Sequence, residues 1–290
     1  MLAQQLINGL MLGASYAMVA IGYTLIFGVL RLLHFAHGEV FMIGAFVGLQ
    51  IALVWQSANI FVAMGGAMIA TGLVGVVIAL VAVRPVSNKY PLAPLISTIG
   101  VTIILQNLAI NIFGGAQVAF PAKIDPVQFH IAGLTISSVQ IFILTVALVL
   151  MVVLWMLIHK TKIGRAIRAA SESHETAALL GVNVNRVVLF VFLLASTLAG
   201  AAGVLDGVKN SNVSPFMGLE VAIKALVCML IGGLGNVIGA VVAGFLLGTI
   251  EVLSAAYIGT SMRDFITFAL LIIILLYRPT GLFGTQVVRD

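Results

Sequence analysis

Long apolar runs broken by short polar inserts organise this chain of 290 residues. Residues 1–30 carry no Asp, Glu, Lys or Arg, and a span of roughly 20 residues fits within 8–30. The polar insert Arg31 to Glu39 follows. Residues 40–83 are again free of charge, long enough for two spans, with the break between them predicted at Gln56-Ser57-Ala58-Asn59. Arg84-Pro85 and Lys89-Tyr90-Pro91 form a basic loop ahead of a fourth span over 92–113. A longer loop, with Gly114, Gly115, Pro121, Pro126 and Gly133, leads to a fifth span over 138–158. The sixth span is 187–205, and Asp206 to Glu220 reads as a polar loop. Residues 221–250 are apolar apart from Lys224, but Gly232-Gly233-Leu234-Gly235-Asn236 interrupts them. That predicts a short or half-buried helix, a glycine-rich turn, and a span over about 238–254. A last span, 264–277, is closed by Arg278-Pro279.

The expected fold is therefore an all-α polytopic membrane protein with about 8–9 transmembrane or half-membrane helices. Composition agrees: 62% of residues are hydrophobic, 8% are charged, and mean hydropathy is +1.22. A soluble domain carries about 25% charged residues. The net charge of +5 implies no nucleic-acid partner, because the basic residues lie in loops, where they set orientation. With nine spans and Lys160 inside, the inner loops hold ten Lys and Arg, and the outer loops hold three, Lys123, Lys209 and Arg263. The N-terminus is thus expected outside, and the C-terminus in the cytoplasm of a bacterial cell, with the chain in the inner membrane. The start, Met1 to Leu10, lacks the basic region of a signal peptide and reads as a retained first span. The lone Cys228 excludes an intrachain disulfide and reads as a small packing residue.

The one long polar stretch is Ile163 to Arg186. On a helix, Arg165 and Arg168 share a face, and Glu172 lies at i+4 from Arg168, where the two can pair. A second short helix is predicted over Glu175 to Leu180, ending at Gly181, a natural left-handed cap. Two readings stand: short helices offered to a partner, or a solvated basic loop that only sets topology.

Glycines recur four apart at Gly9/Gly13, Gly44/Gly48, Gly235/Gly239 and Gly244/Gly248, a spacing that brings helix backbones together in a membrane. A faint internal echo places Gly38 six residues before Gly44 and Gly233 six before Gly239. Both segments break apolar helices, and irregular backbone at membrane depth is tolerated where it is buried in protein or lines a cavity. His37, Gly38, Glu39, Gly44, Gly232, Gly233, Gly235, Asn236 and Gly239 are therefore the candidate translocation path. Packing and turns are the alternative reading of those glycines.

Other chemistry is scarce. No GxxxxGK[ST], HExxH or CxxC motif is present, so neither a nucleotide site nor a metal site is expected. Ser15 with His34 or His37 reads as helix packing rather than as a protease pair. Glu39, Asp206, Glu220, Lys224 and Glu251 are expected near span ends, with Glu220 and Lys224 paired at i,i+4. Asn8, Asn107 and Asn111 are expected to join helices.

Four blocks carry a resemblance. Phe35-Ala36-His37-Gly38-Glu39 with Met42-Ile43-Gly44-Ala45 resembles the first block of the high-affinity branched-chain amino acid ABC permeases. Gly164-Arg165-Ala166 with Leu180-Gly181-Val182-Asn183 is similar to their cytoplasmic block. Gly232 to Ala240 resembles their C-terminal block, and Arg278 to Gly284 their closing sequence. Glu175 to Gly181 is similar to the E-A-A-x-x-x-G element of importers but departs at Thr176. The shorter of the two permease subunit types is the nearer fit. The resemblance implies one permease domain over 1–290, with 160–186 as a coupling loop. It implies that Gly164, Arg165, Arg168, Glu172, Glu175, Ala177 and Gly181 meet the ATPase. It further implies a second related permease subunit, two ATP-binding subunits that supply ATP hydrolysis, and a periplasmic or lipid-anchored substrate-binding protein. The function so implied is import of branched-chain or other hydrophobic amino acids by a subunit that is not itself an enzyme. Urea or short amides are the alternative cargo within that family, and an ion-coupled secondary carrier is the alternative outside it.

Overall fold

The helices follow the apolar runs. In a computed structural model, which describes residues 1–55, 59–86, 92–121, 127–131 and 134–284, they are α1 (Leu2–Leu30), α2 (His37–Val54) and α3 (Ile60–Ile78). A π-helical turn, Ala79–Val83, extends α3. After α4 (Ala93–Phe113) come the short strands β1 (Val118–Ala119), β2 (Gln128–Ile131) and β3 (Leu134–Ser137). Then follow α5 (Ser138–Lys160), α6 (Lys162–Glu172), α7 (His174–Leu179) and α8 (Val184–Asn210). The chain continues with β4 (Asn212–Val213), α9 (Met217–Gly232), α10 (Val237–Tyr257), a 3-10 turn over Thr260–Met262, and α11 (Arg263–Tyr277). Among the described residues, eight helices are long and apolar enough to cross a membrane, and α9, with 16 residues, is the short one. The expected all-α membrane fold is what forms. Gln56-Ser57-Ala58, Lys89-Tyr90-Pro91, Lys123, Pro126 and Gly133 lie outside the described residues.

Helix starts obey local chemistry. The Ser137 hydroxyl accepts the Val139 N–H at 3.3 Å, and Gln140 Oε1 accepts the Ser137 N–H at 3.0 Å, which caps α5 reciprocally. Asn183 caps α8 by accepting the Arg186 N–H at 3.1 Å.

Two helices form the centre. From Gly13 onward α1 is almost wholly buried, and it lies along α10. The seam is the predicted glycine pattern. A Cβ built on Gly13 would sit 2.6 Å from the Phe245 Cα, and one on Gly244 would sit 2.8 Å from the Ala17 Cα. Without side chains there, the backbones touch, which is how helices bind where lipid offers no hydrophobic drive. α8 packs between α2 and α3, with Gly44 against the backbone of Gly200. α4, α5 and α11 ring this core and expose apolar side chains such as Ile103, Val152 and Ile272.

The contacts sort the loops onto two faces. On one, β1 pairs with β4, β2 with β3, and Gln4 Nε2 donates to the Thr135 carbonyl at 2.9 Å. On the other, Arg84 Nη2 donates to the Asn185 carbonyl at 2.8 Å, and His174 Nε2 lies 2.6 Å from the Val29 carbonyl oxygen. The start of α1 thus shares a face with the β segments, and the end of α1 shares the opposite face with α6 and α7.

Two helices begin inside the protein. His37, the first residue of α2, packs on Gly22 of α1, where a Cβ would lie 2.6 Å from the imidazole Cε1. Gly22 is eight residues before Leu30, which is about 12 Å of helix rise. The chain therefore turns back after α1 and restarts a helix at depth. α9 starts against it, since a Cβ on Gly218 would sit 2.7 Å from the Gly38 carbonyl oxygen. From that meeting point α2 runs toward the β face and α9 toward the α6–α7 face.

The same local design precedes both helices. α1 ends at Arg31 with φ 53°, and α8 ends at Ser211 with φ 56°, the two non-glycine residues with left-handed backbone among those described. Six residues after each, the next helix begins, and the His37 and Met217 N–H groups donate to His34 and Ser214 carbonyls. The internal repeat is therefore Arg31–Glu39 with Ser211–Leu219. It is not the Gly38/Gly233 echo read from glycine spacing, because Gly233 sits in the turn after α9 rather than at its start.

Candidate functional site

Three features carry polar chemistry: the α6–α7 pair, the meeting point of α2 and α9, and a buried ion network.

α6 and α7 fold as predicted, and their shape follows from their ends. Thr161 caps α6 by accepting the Gly164 N–H at 3.0 Å. Gly164 lies on the end of α5, where a Cβ would fall 2.5 Å from the Ile158 carbonyl carbon, so glycine is required there. Arg168 Nη1 donates to the Ile158 carbonyl at 2.6 Å. The expected Arg168–Glu172 pair is absent among the described salt bridges, because that carbonyl, left free at a helix end, takes the guanidinium. Ile167, Ala170 and Ala177 face inward, and Arg165, Glu172 and Glu175 face solvent. At the end of α7, Val182 N–H donates to the Ala177 carbonyl and Gly181 N–H to the Ala178 carbonyl, both at 3.0 Å. Gly181 has φ 83°, completing a Schellman cap. Gly181→Ala is expected to cost this cap about 1–2 kcal/mol, read as faster proteolysis at 180–183. Polar patterning alone singles out neither Leu179 nor Leu180. They are 88% and 76% exposed, an apolar tip on the polar face.

At the meeting point, a cavity of about 240 Å³ is lined by Tyr23, Phe35, Glu39, Ile99, Thr102, Leu219, Ala222, Ile223 and Leu226. Of the path residues read from sequence, only Glu39 reaches it. His37 is buried beside it, its ring 4.8 Å from that of Tyr23 and edge-on to it. Gly38 and Gly44 serve helix contacts, with Gly218 and Gly200 respectively. Gly232, Gly233, Gly235 and Asn236 form the α9–α10 turn, 16 residues of helix away. There Gly233 packs on Gly284, Gly232 on Gly239, and Asn236 Nδ2 donates to the Phe283 carbonyl at 2.9 Å. The closing sequence thus covers this turn. A separate polar cleft of about 460 Å³, with Asp206, Lys209, Asn210, Glu220 and Arg263 in its wall, opens near the β face.

The ion network differs from the sequence expectation. Lys224 Nζ lies 2.5 Å from Glu251 Oε1 and 2.6 Å from Asp264 Oδ1. Tyr16 donates to Glu251 Oε2 at 2.9 Å, Thr267 to Oε1 at 2.8 Å, and Arg263 lies 3.4 Å from Oε2. Lys224 and Glu251 are buried, not at span ends, and Lys224 does not pair with Glu220. Lys224 lies one turn after Glu220 on the same side of α9, yet its ammonium turns toward α10 and α11, where two carboxylates satisfy it. Of the three asparagines, Asn8 does join helices, accepting from Gln140 Nε2 of α5 at 3.4 Å. Asn107 and Asn111 instead donate to carbonyls of their own helix, Ile103 and Asn107, each at 2.8 Å. They lie on the exposed side of α4, which meets no neighbour among the described residues.

The sequence model of the family described as "Branched-chain amino acid transport system / permease component" matches residues 5–275. This chain belongs to that family. It is 39% identical to the LivH permease protein of the high-affinity branched-chain amino acid transport system of Salmonella typhimurium, over 97% of this chain and 95% of that one. It is 36% identical to the BraD permease protein of Pseudomonas aeruginosa over the same shares. A more distant relative, the probable LivH of Methanocaldococcus jannaschii, is 27% identical over 93% of this chain and 88% of its own. No solved structure matches. The chain is thus a multi-pass membrane permease component of a transport system.

Proposed function

We propose that this permease imports branched-chain amino acids as the membrane subunit of an ATP-driven importer. The observation that carries the reading is the α6–α7 pair, in a chain whose relatives over nearly full length are permeases of branched-chain amino acid systems. Its buried side anchors to α1 and α5, and its outer side offers Leu179, Leu180, Arg165, Glu172 and Glu175. An anchored pair of short helices with an apolar tip passes force from a partner into the bundle, which a solvated loop does not. Arg168, itself exposed, holds α6 to α5 through the Ile158 carbonyl.

In this reading ATP-binding subunits dock on the α6–α7 face, which is cytoplasmic, as the excess of basic loops on that face supports. The β face, with the polar cleft beside Asp206 and Glu220, receives a substrate-binding protein on the outer side of the bacterial inner membrane. A second, related permease subunit covers α4 and the neighbouring face of α9. The chain carries no P-loop sequence, and ATP is hydrolysed on the partners.

The test is the double substitution Leu179→Asp, Leu180→Asp. Each leucine is worth about 1.5–3 kcal/mol when covered, so the ATP-binding subunits should bind at least about tenfold more weakly. Uptake should fall with it, while insertion of the chain is retained. Wild-type uptake and co-purification by the double variant would overturn the docking assignment.

A further inference from the structure

The cavity at the meeting point of α2 and α9 has one charged group and a greasy remainder. Glu39 is 1% exposed, and its Oε2 has no hydrogen-bond partner among the described residues. It lines the cavity together with Tyr23 and Thr102, and the remaining walls are apolar, among them Phe35, Leu219 and Ile223. No salt bridge among the described residues includes Glu39; Lys224 pairs with Glu251 and Asp264, and Arg263 with Glu251. A buried carboxylate without a counter-charge is costly, more so in a membrane. The start of α2 offsets part of that cost, since Glu39 lies in its first turn. It supplies no cation. The cavity has room for one: about 240 Å³ is many times the roughly 10–15 Å³ that holds one water.

We infer that this cavity is a substrate subsite for a small molecule with a protonated amine and a short aliphatic side chain, with Glu39 accepting the ammonium hydrogens. The apolar walls take the side chain, and burial of a branched aliphatic group there contributes favourably. The opposite charge of a zwitterion has a place as well. Neither α2 nor α9 has a side-chain cap, and their first turns meet at Gly38 and Gly218. Uncapped helix starts present N–H donors to an anion. The mouth lies between α4 and α9, flanked by the exposed Ile99, Leu219 and Ile223. A carboxylate at the base of a side opening cannot face hydrocarbon, so this face is one that protein covers. The inference rests on the importer reading and narrows it, because urea and short amides carry no ammonium for Glu39.

The experiment uses the assembled importer in proteoliposomes. Thr102→Cys is introduced after Cys228, the buried single cysteine, is replaced by Ala. A small methanethiosulfonate is the labelling probe. L-leucine at about ten times its dissociation constant should slow labelling of position 102 about tenfold. Its keto-acid analogue, which lacks the amine, should not slow it, and in Glu39→Gln L-leucine should no longer protect. Equal labelling with and without L-leucine, in a complex that transports it, would overturn the subsite. Protection by the keto acid, or by sodium alone, would also overturn it. If Glu39→Gln fails to assemble, the comparison of amino acid with keto acid on the Glu39 complex still decides. Failure of the unlabelled complex to take up leucine, isoleucine or valine would sink the importer reading instead.

Discussion

Glu251→Ala is expected to leave little assembled protein. The substitution removes the buried one of the two carboxylates that hold the Lys224 ammonium, and it strands the hydroxyls of Tyr16 and Thr267, which bond to Glu251. Removing one partner of a buried pair costs about 3–5 kcal/mol, a large part of the usual total stability of about 5–15 kcal/mol. The exposed Asp264 cannot replace it, since its carboxylate holds Lys224 from the far side. α11 should detach first, because its buried anchor Thr267 bonds to Glu251. Melting temperature in detergent and the yield of intact complex are the readouts. Glu251→Leu combined with Lys224→Met should recover much of the loss, because an apolar pair leaves no orphaned charge. A Glu251→Ala protein that melts like the wild type would show that the network is ornamental.

Gly13→Leu is expected to be as damaging by a different route. The atoms in the way are the Phe245 Cα and Gly244 carbonyl oxygen, which are backbone and cannot rotate aside. Overpacking typically costs about 1–3 kcal/mol when side chains can shift, and here α1 and α10 must separate along their length. Gly65→Leu on α3 is the control, because a Cβ there meets nothing within 4 Å. Chromatographic profiles in detergent separate the two cases: aggregation for Gly13→Leu and a wild-type peak for Gly65→Leu. A monodisperse Gly13→Leu protein would mean that the seam is looser than the structure shows.

Helix number and most loop positions were legible because the spans are largely uncharged runs long enough for a bilayer, and most loops hold glycine, proline or charge, although α8 runs on to Asn210 and α9 starts at Met217 within the stretch read as a loop. The α6–α7 pair was legible for the opposite reason, being polar where all else is apolar. What stayed hidden depends on depth and facing. Nothing in the string Arg31 to Glu39 shows that the chain turns back beside Gly22, so Glu39 reads as a loop residue although it is buried. Gly232 to Gly239 looked like Gly38 to Gly44 because both have glycines at the same interval. One lies in a turn sealed by Phe283 and Gly284, and the other starts a helix at depth. Lys224 and Glu251 stood out only as charges within apolar runs. Their pairing joins helices 27 residues apart, and spacing along one helix favoured Glu220 instead.

The seam between α1 and α10 also bears on the order of events during synthesis. Gly13 meets Gly248, and after Gly13 the ribosome must add 235 residues to reach it. At about 5–20 residues per second this takes roughly 12–47 s. Through that interval α1 waits without its main partner, its bare glycine ridge and Tyr16 hydroxyl uncovered. Nascent chains stopped before α10 should therefore be the ones that quality-control proteases remove. Release from that vulnerability should coincide with the emergence of Glu251, not with the first helix reaching the membrane.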